Sequence, residues 1–501
     1  DDARAAVDAR LAGYACAPSA VGSGAVSCVT APRDAGIRAR GVELWVRGKG
    51  LALVAAPLEL DFAYTDLWSD ERSWLHSEKP ADGDSVIVPE DQAIVLDEDS
   101  PSLFLLLVHG TLEFARKDVA LDATYIWVAG GTFRVGTETE PFVHRATITL
   151  HGDRWTTIEL PTIGSKMLAV TNLGGLDGGC HAHTAATHAA EPDAACAVRR
   201  VGVLQLHGAP RRAWTRLVRT ASAGSSALRL AEPIDWPVGA RVLVTQSARG
   251  EREELRRVAA IEDDGLTLLL DAPLANEHLG VWHWHDEGAA PSDLRAAVAL
   301  LERNVVVQGD EASLRPGNSY MFGAHTGAFH GGRMEVSDVE YTRTGQAANF
   351  GRYTFHWHHM SPGRNVDVAD GAGYIRSCAI HDTFQRAVVV HATDYATVTG
   401  NVAYRAKGHN FFTEEGPERY ALFEGNLAVA AVPHPLLLGD DTEPAGFWLP
   451  GFTGWHRHNL AVGCAVGWKL SVQAGAGAAQ TDLSFFNNSA HACGFGWRLF
   501  P

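Results

Sequence analysis

The segment from Gly351 to Gly416 carries three related stretches: GRYTFHWHH (351–359), IHDTFQRAVVVHATD (380–394) and GHNFFTEEG (408–416). In each, a basic residue (Arg352, Arg386 or His409) opens a short apolar strand, and four to six residues later comes His356 with His358, then His391, then Glu414 with Glu415. Side chains alternate between the two faces of a strand. Phe355 and Trp357 therefore share one face and His356 and His358 the other, while Val388, Val390, Phe411 and Thr413 turn inward and leave His391 and Glu414 outward. Trp448 in AGFWLP, Lys469 in GWKLS and Arg498 in GWRLF take comparable outward positions. A ladder of polar groups on a parallel sheet makes a lateral groove.

The strands around this run repeat. Asn or an equivalent residue recurs before a strand at SDVEY, SCAIH, GNVAY, GNLAV, HNLAV and NNSAH, about 23 to 40 residues apart. Strand repeats of this period signal a solenoid, in which no turn buries its own apolar face and neighbouring turns stack to do so. The recurrent Asn is expected to pair with the next turn. Taking Asn459 and Asn488 as equivalent places Cys464 and Cys493 at one offset on adjacent strands, within disulfide reach. That pairing leaves Cys378 as a lone thiol. The fold expected is all-β, with a right-handed parallel β-helix over 301–501.

Composition agrees with the β reading. The 51 glycines and the short Val, Leu and Ile runs separated by turn residues leave little sustained helical period. A net charge of −17 argues against nucleic acid as a partner, though not against an acidic glycan meeting a local basic groove. No apolar run is long enough to span a membrane. The seven cysteines are too few for a disulfide scaffold, but Cys16 with Cys28 and Cys180 with Cys196 each bracket a polar loop, which predicts two bridges formed outside the cytosol. The histidines inside the second loop (His181, His183, His188) and the His283/His285 pair read as loop or edge-strand residues rather than ligands.

Further upstream, residues 1–62 read as an N-terminal β segment of Ig or TIG type, incomplete at its start. The stretch from Leu67 to Asp153, with Trp68, Trp74 and the Gly136–Glu138 turn, resembles the G8 domain of the family containing fibrocystin-L and the cell-migration-inducing and transmembrane hyaluronidases. This assigns a G8 domain, carrying the Cys180–Cys196 insertion, to 63–202, and a linking β unit to 203–300. The stretches RYTFHWHHM, GHNFFTEEGPE and DDTEPAGFWLP resemble the β-helix of the same family, with Thr354 standing where its members tend to have Pro.

The resemblance implies a secreted or surface-anchored, glycan-interacting protein. It leaves open a structural surface-coat component without catalysis and an endo-acting depolymerase of an acidic polysaccharide. For an enzyme, Glu414 or Glu415 is the candidate acid and His391 or His358 the base, with Arg352 or Arg386 on a uronate carboxylate. One divalent metal held by His356, His358, His391 and Glu414 is a further expectation. Because the chain stops at GFGWRLFP inside a strand, it reads as a piece of a longer extracellular protein able to assemble with other chains.

Overall fold

A computed structural model describes residues 7–11, 14–21, 26–30, 42–47, 50–51, 65–74, 78–173, 200–284, 291–314, 321–360, 372–414, 416, 418–433, 442–451, 454–471 and 484–500. Among them there is almost no helix, and none is long and apolar enough to cross a membrane. Residues of 7–51 form a five-stranded antiparallel sheet, in which a disulfide joins Cys16 to Cys28 with 5.6 Å between their Cα atoms. Cys180 and Cys196 lie outside the described residues.

The rest is built on a parallel β-helix. One wall is an eleven-stranded parallel sheet running from Asp66–Leu67 to Ser484–Phe486, and each of its strands opens a new turn. A complete turn has three strands, as in Gly373–Arg376, Ala379–His381 and Val388–His391. The G8 segment is not separate from this solenoid: Thr132–Val135 pairs with Val203–His207, which pairs with Arg333–Ser337, and Ala146–Leu150 pairs with Val305–Gly309. Between Val203–His207 and Val305–Gly309 the chain leaves the helix to form a six-stranded antiparallel sheet over 214–300. That sheet has a core of its own, and it lays Leu243, Ala297, Ala299 and Leu301 on Val402, Tyr404, Leu427, Val429, Leu460 and Val462, covering the outer face of the second strands. The outer face of the third strands is left for other contacts.

Alternation fills the interior. Phe355, Trp357, Val388, Val390, Phe411, Phe447 and Trp468 all join one continuous core. Phe411, Phe447, Trp468 and Trp497 stack along the axis, with ring centroids 4.9, 4.1 and 5.2 Å apart. Each such contact adds about 0.5–1.5 kcal/mol to the area it buries.

The corners are held by an asparagine ladder. Asn401 Oδ1 accepts from the Cys378 amide, Asn426 Oδ1 from the Asn401 amide, Asn459 Oδ1 from the Asn426 amide and Asn488 Oδ1 from the Asn459 amide, at 2.9–3.1 Å. Each Nδ2 donates in turn to a strand carbonyl: Asn401 to Ile375, Asn426 to Val398, Asn459 to Phe423 and Asn488 to His456. The side chain thus satisfies backbone groups that a buried corner would leave orphaned. Cys464 and Cys493 do follow this register, since the Gly494 amide donates to the Cys464 carbonyl. The two thiols face each other within hydrogen-bonding reach, and each also contacts a backbone carbonyl, Cys464 that of Val462 at 3.6 Å and Cys493 that of His491 at 3.3 Å, but the expected bridge is not formed. Cys378 is a buried thiol.

A charged knot ties the loop after Leu150 to the helix. The buried Lys166 ammonium donates to Asp310 (2.7 Å), the Gly152 carbonyl (2.9 Å) and Ser313 (2.8 Å). His151 lies between Asp122 (2.7 Å) and Asp310 (3.6 Å), and these carboxylates raise it to about 9.

Two outcomes follow from these contacts. Asn426→Ala removes the acceptor of the Asn401 amide and the donor to Val398, and should lower the unfolding free energy by about 2–4 kcal/mol in denaturant titrations. Because the folded-state pKa of His151 lies above its unfolded value near 6.5, its contribution is complete below that pH and disappears as pH rises through about 9. With solvent screening of a partly exposed group, His151→Gln should remove about 1–2 kcal/mol at pH 6 and almost nothing at pH 10.

Candidate functional site

The third strands bring the site together. His356 pairs in register with Val389 and His358 with His391, and Val388 and Val390 pair with Phe411 and Thr413. The chain continues one residue past Thr413, with the Glu414 amide donating to the Val390 carbonyl, so Glu414 follows on the outer side beside His391. Tyr353, Val389, Phe412, Ala445, Trp448 and Val466 form the apolar floor of this outer face. Phe412, Trp448, Lys469 and Arg498 fall in one register column; the Lys469 ammonium lies 4.1 Å from the Trp448 ring centre, and Arg498 pairs with Glu443.

Three imidazoles meet at one end of this outer face. His358 Nδ1 is 3.2 Å from His391 Nδ1, which is 3.5 Å from Glu414 Oε2. One ligand atom from each of His356, His358 and His391 lies within 4.8 Å of the others. His356 is on the outer side by register but only 1% exposed, packed beneath the Tyr353 ring at 4.9 Å. Its Nδ1 faces the Gly351 carbonyl at 3.0 Å, which can only accept; Nδ1 therefore carries the proton and Nε2 the lone pair. Burial, followed by the charges of His358 and His391, drives His356 well below the ordinary imidazole range. Burial and the neighbouring His391, His359 and His330 bring His358 down to about 3. Both rings are thus neutral bases at physiological pH.

The arginines serve the scaffold rather than the groove. Arg352 binds Glu159 (2.6 Å) and the Thr162 carbonyl (3.1 Å), closing the 153–165 loop over the preceding turn. Gly164 turns the loop there at φ 85°, a conformation that L side chains rarely adopt, with Arg352 packed against it. Arg386 is buried, 4.3 Å from the Phe412 ring centre and bonded to the Tyr353 hydroxyl at 3.2 Å, with Glu414 Oε1 at 3.9 Å. The expectation that one of the two lines the groove for a uronate is corrected by these placements. His409 accepts from the Ala445 amide and packs on Trp448. Glu415 lies outside the described residues, as do His181, His183, His188 and His285; His283 is on an exposed strand of the inserted unit.

Sequence reasoning did not single out Tyr353, His359, His330 or Glu159. Tyr353 shares the parity of Phe355 and should point inward. The strand begins only at Phe355, so parity does not reach it, and its ring lies on the outer floor. His359 follows the strand with φ 51°, which brings its ring to 4.3 Å from that of His391.

The fold defines a parallel β-helix protein, and comparison with known proteins matches residues 73–218 to the G8 domain and residues 321–492 to the CEMIP β-helix. The chain is similar to fibrocystin-L, with 32% identity to the human protein over 91% of this chain and 31% to the mouse protein over 80%. It spans about a tenth of the length of those relatives, 11% and 10% respectively. Among solved structures, a tailspike of Pseudomonas phage phi297 is 13% identical and aligns over 75% of this chain and 47% of its own, with a TM-score of 0.18, too low to carry an argument.

Arg386→Leu removes a buried cation from between Glu414 and Tyr353, and should destabilise the chain by about 3–5 kcal/mol. In a double-mutant cycle with Glu414→Gln, part of that loss should be recovered.

Proposed function

We propose that this chain is the glycan-engaging part of an extracellular protein, and that an acidic polysaccharide lies along the outer face of its third strands. The observation that carries this reading is the run of groups on that face: His358, His391 and Glu414 partly open to solvent, followed by Lys469 and Arg498 in one register column. Ammonium and guanidinium groups at strand spacing suit the repeated carboxylates of such a polymer. The chain's net charge of −17 means the attraction is local and sensitive to salt. The Cys16–Cys28 bridge and the similarity to fibrocystin-L support an extracellular location.

A second reading, endo-acting cleavage of the bound chain, is favoured by one feature. Glu414 and His391 stand 3.5 Å apart, a carboxylate and an imidazole able to divide acid and base roles.

With a panel of acidic polysaccharides, Lys469→Glu should weaken binding about tenfold or more and flatten its salt dependence, whereas Lys117→Glu, exposed on an earlier turn, should not. Equal binding by wild type and Lys469→Glu would refute the groove assignment. Shortening of the polymer by wild type, abolished in Glu414→Gln, would select the enzymatic reading; unshortened chains would leave binding alone.

A further inference from the structure

We propose that His356, His358 and His391, with Glu414 as the carboxylate ligand, bind one divalent first-row transition-metal ion of the zinc type. The argument is geometric. Two ligand atoms bound at about 2.0–2.1 Å in a tetrahedral site stand about 3.3 Å apart. His358 Nδ1 and His391 Nδ1 are separated by 3.2 Å, and His391 Nδ1 and Glu414 Oε2 by 3.5 Å. Without a cation, the two facing Nδ1 atoms share one hydrogen bond, one ring protonated at Nδ1 and the other accepting. With a cation, both lone pairs are used.

Two further atoms point to the same place. His356 Nε2 is buried and has no hydrogen-bond partner among the described residues, although a buried polar atom normally finds one, and the buried Glu414 Oε2 has only the His391 contact at 3.5 Å. His356 is also prepared as a ligand. Its Nδ1–H is given to the Gly351 carbonyl, the arrangement by which metal-binding histidines fix their tautomer and direct the other nitrogen at the ion.

The donor set identifies the ion. Three imidazoles and one carboxylate suit zinc and its first-row neighbours, whereas calcium and magnesium require a shell of oxygens. Around the four ligands, Tyr353 and Arg386 hold the far oxygen of Glu414, and Phe329 packs against His358 at 5.6 Å. Few waters can reach the buried side of such a site, which favours a retained ion over an exchanging one.

The test uses metal alone, so that its outcome is independent of glycan binding. The purified chain, stripped with EDTA and dialysed against Zn²⁺, should keep one zinc per chain, and added Zn²⁺ should raise its melting temperature while Ca²⁺ does not. Co²⁺ in place of zinc should give the visible absorption of a nitrogen-rich tetrahedral site. His391→Ala, at a partly exposed position, should lower Zn²⁺ affinity at least tenfold and abolish the cobalt band, while His144→Ala on an exposed loop of an earlier turn changes neither. His356→Gln should act like His391→Ala; if it fails to fold, His391→Ala carries the test. Absence of stoichiometric zinc in the wild type, or zinc affinity unchanged in His391→Ala, would overturn the proposal. Loss of glycan binding with zinc retained would count only against the glycan reading.

Discussion

The fold depends on one constraint, the parallel register between successive turns. Parallel strands lie about 4.8 Å apart, and a buried corner between them leaves amides and carbonyls without partners. Asn401, Asn426, Asn459 and Asn488 meet both needs with one side chain, accepting from the amide of the previous ladder position and donating to a strand carbonyl. Once that ladder is set, inward residues have no freedom of register. Phe411, Phe447, Trp468 and Trp497 must then stack, because each occupies the same place one turn further on.

The site is a by-product of the same register on the opposite face. His358 and His391 approach because they are paired residues of adjacent strands, and Glu414 follows because its strand is the next in line. What distinguishes this position from others on the same face is its cover. The inserted sheet occupies the second-strand face, and the 153–165 loop, fastened through Glu159 to Arg352, occupies the third-strand face of the preceding turns. The histidines stand on the turns that follow, His356 buried and His358 and His391 partly open.

Much of this was legible in the sequence, for physical reasons that also explain what was not. The solenoid showed itself because each turn repeats the same burial problem, and the positions of His358, His391 and Glu414 followed because strand parity is strict inside a strand. Parity failed outside strands: Tyr353 lies two residues before Phe355 yet on the other side, and the burial of His356 comes from that ring and the Gly351 turn rather than from its own strand. The arginines misled because charge alone does not say which carboxylate is nearest. Arg352 finds Glu159, 193 residues away in sequence, a contact that no local pattern encodes. Register also placed Cys464 and Cys493 on adjacent strands, and there the two thiols do meet, as a hydrogen-bonded pair rather than a bridge.

The chemistry at the groove head is set by what the fold withholds from it. Burial makes the protonated form of His356 and His358 costly, so these rings stay neutral and keep lone pairs that an exposed cluster would lose to protons in mild acid. Arg386 could have neutralised Glu414 outright, but at 3.9 Å, with its guanidinium held against Phe412 and bonded to Tyr353, it restrains only one carboxylate oxygen. The other oxygen remains turned toward His391. The head of the site thus combines buried imidazoles with one oriented carboxylate oxygen, while Lys469 and Arg498 fall on later turns of the helix.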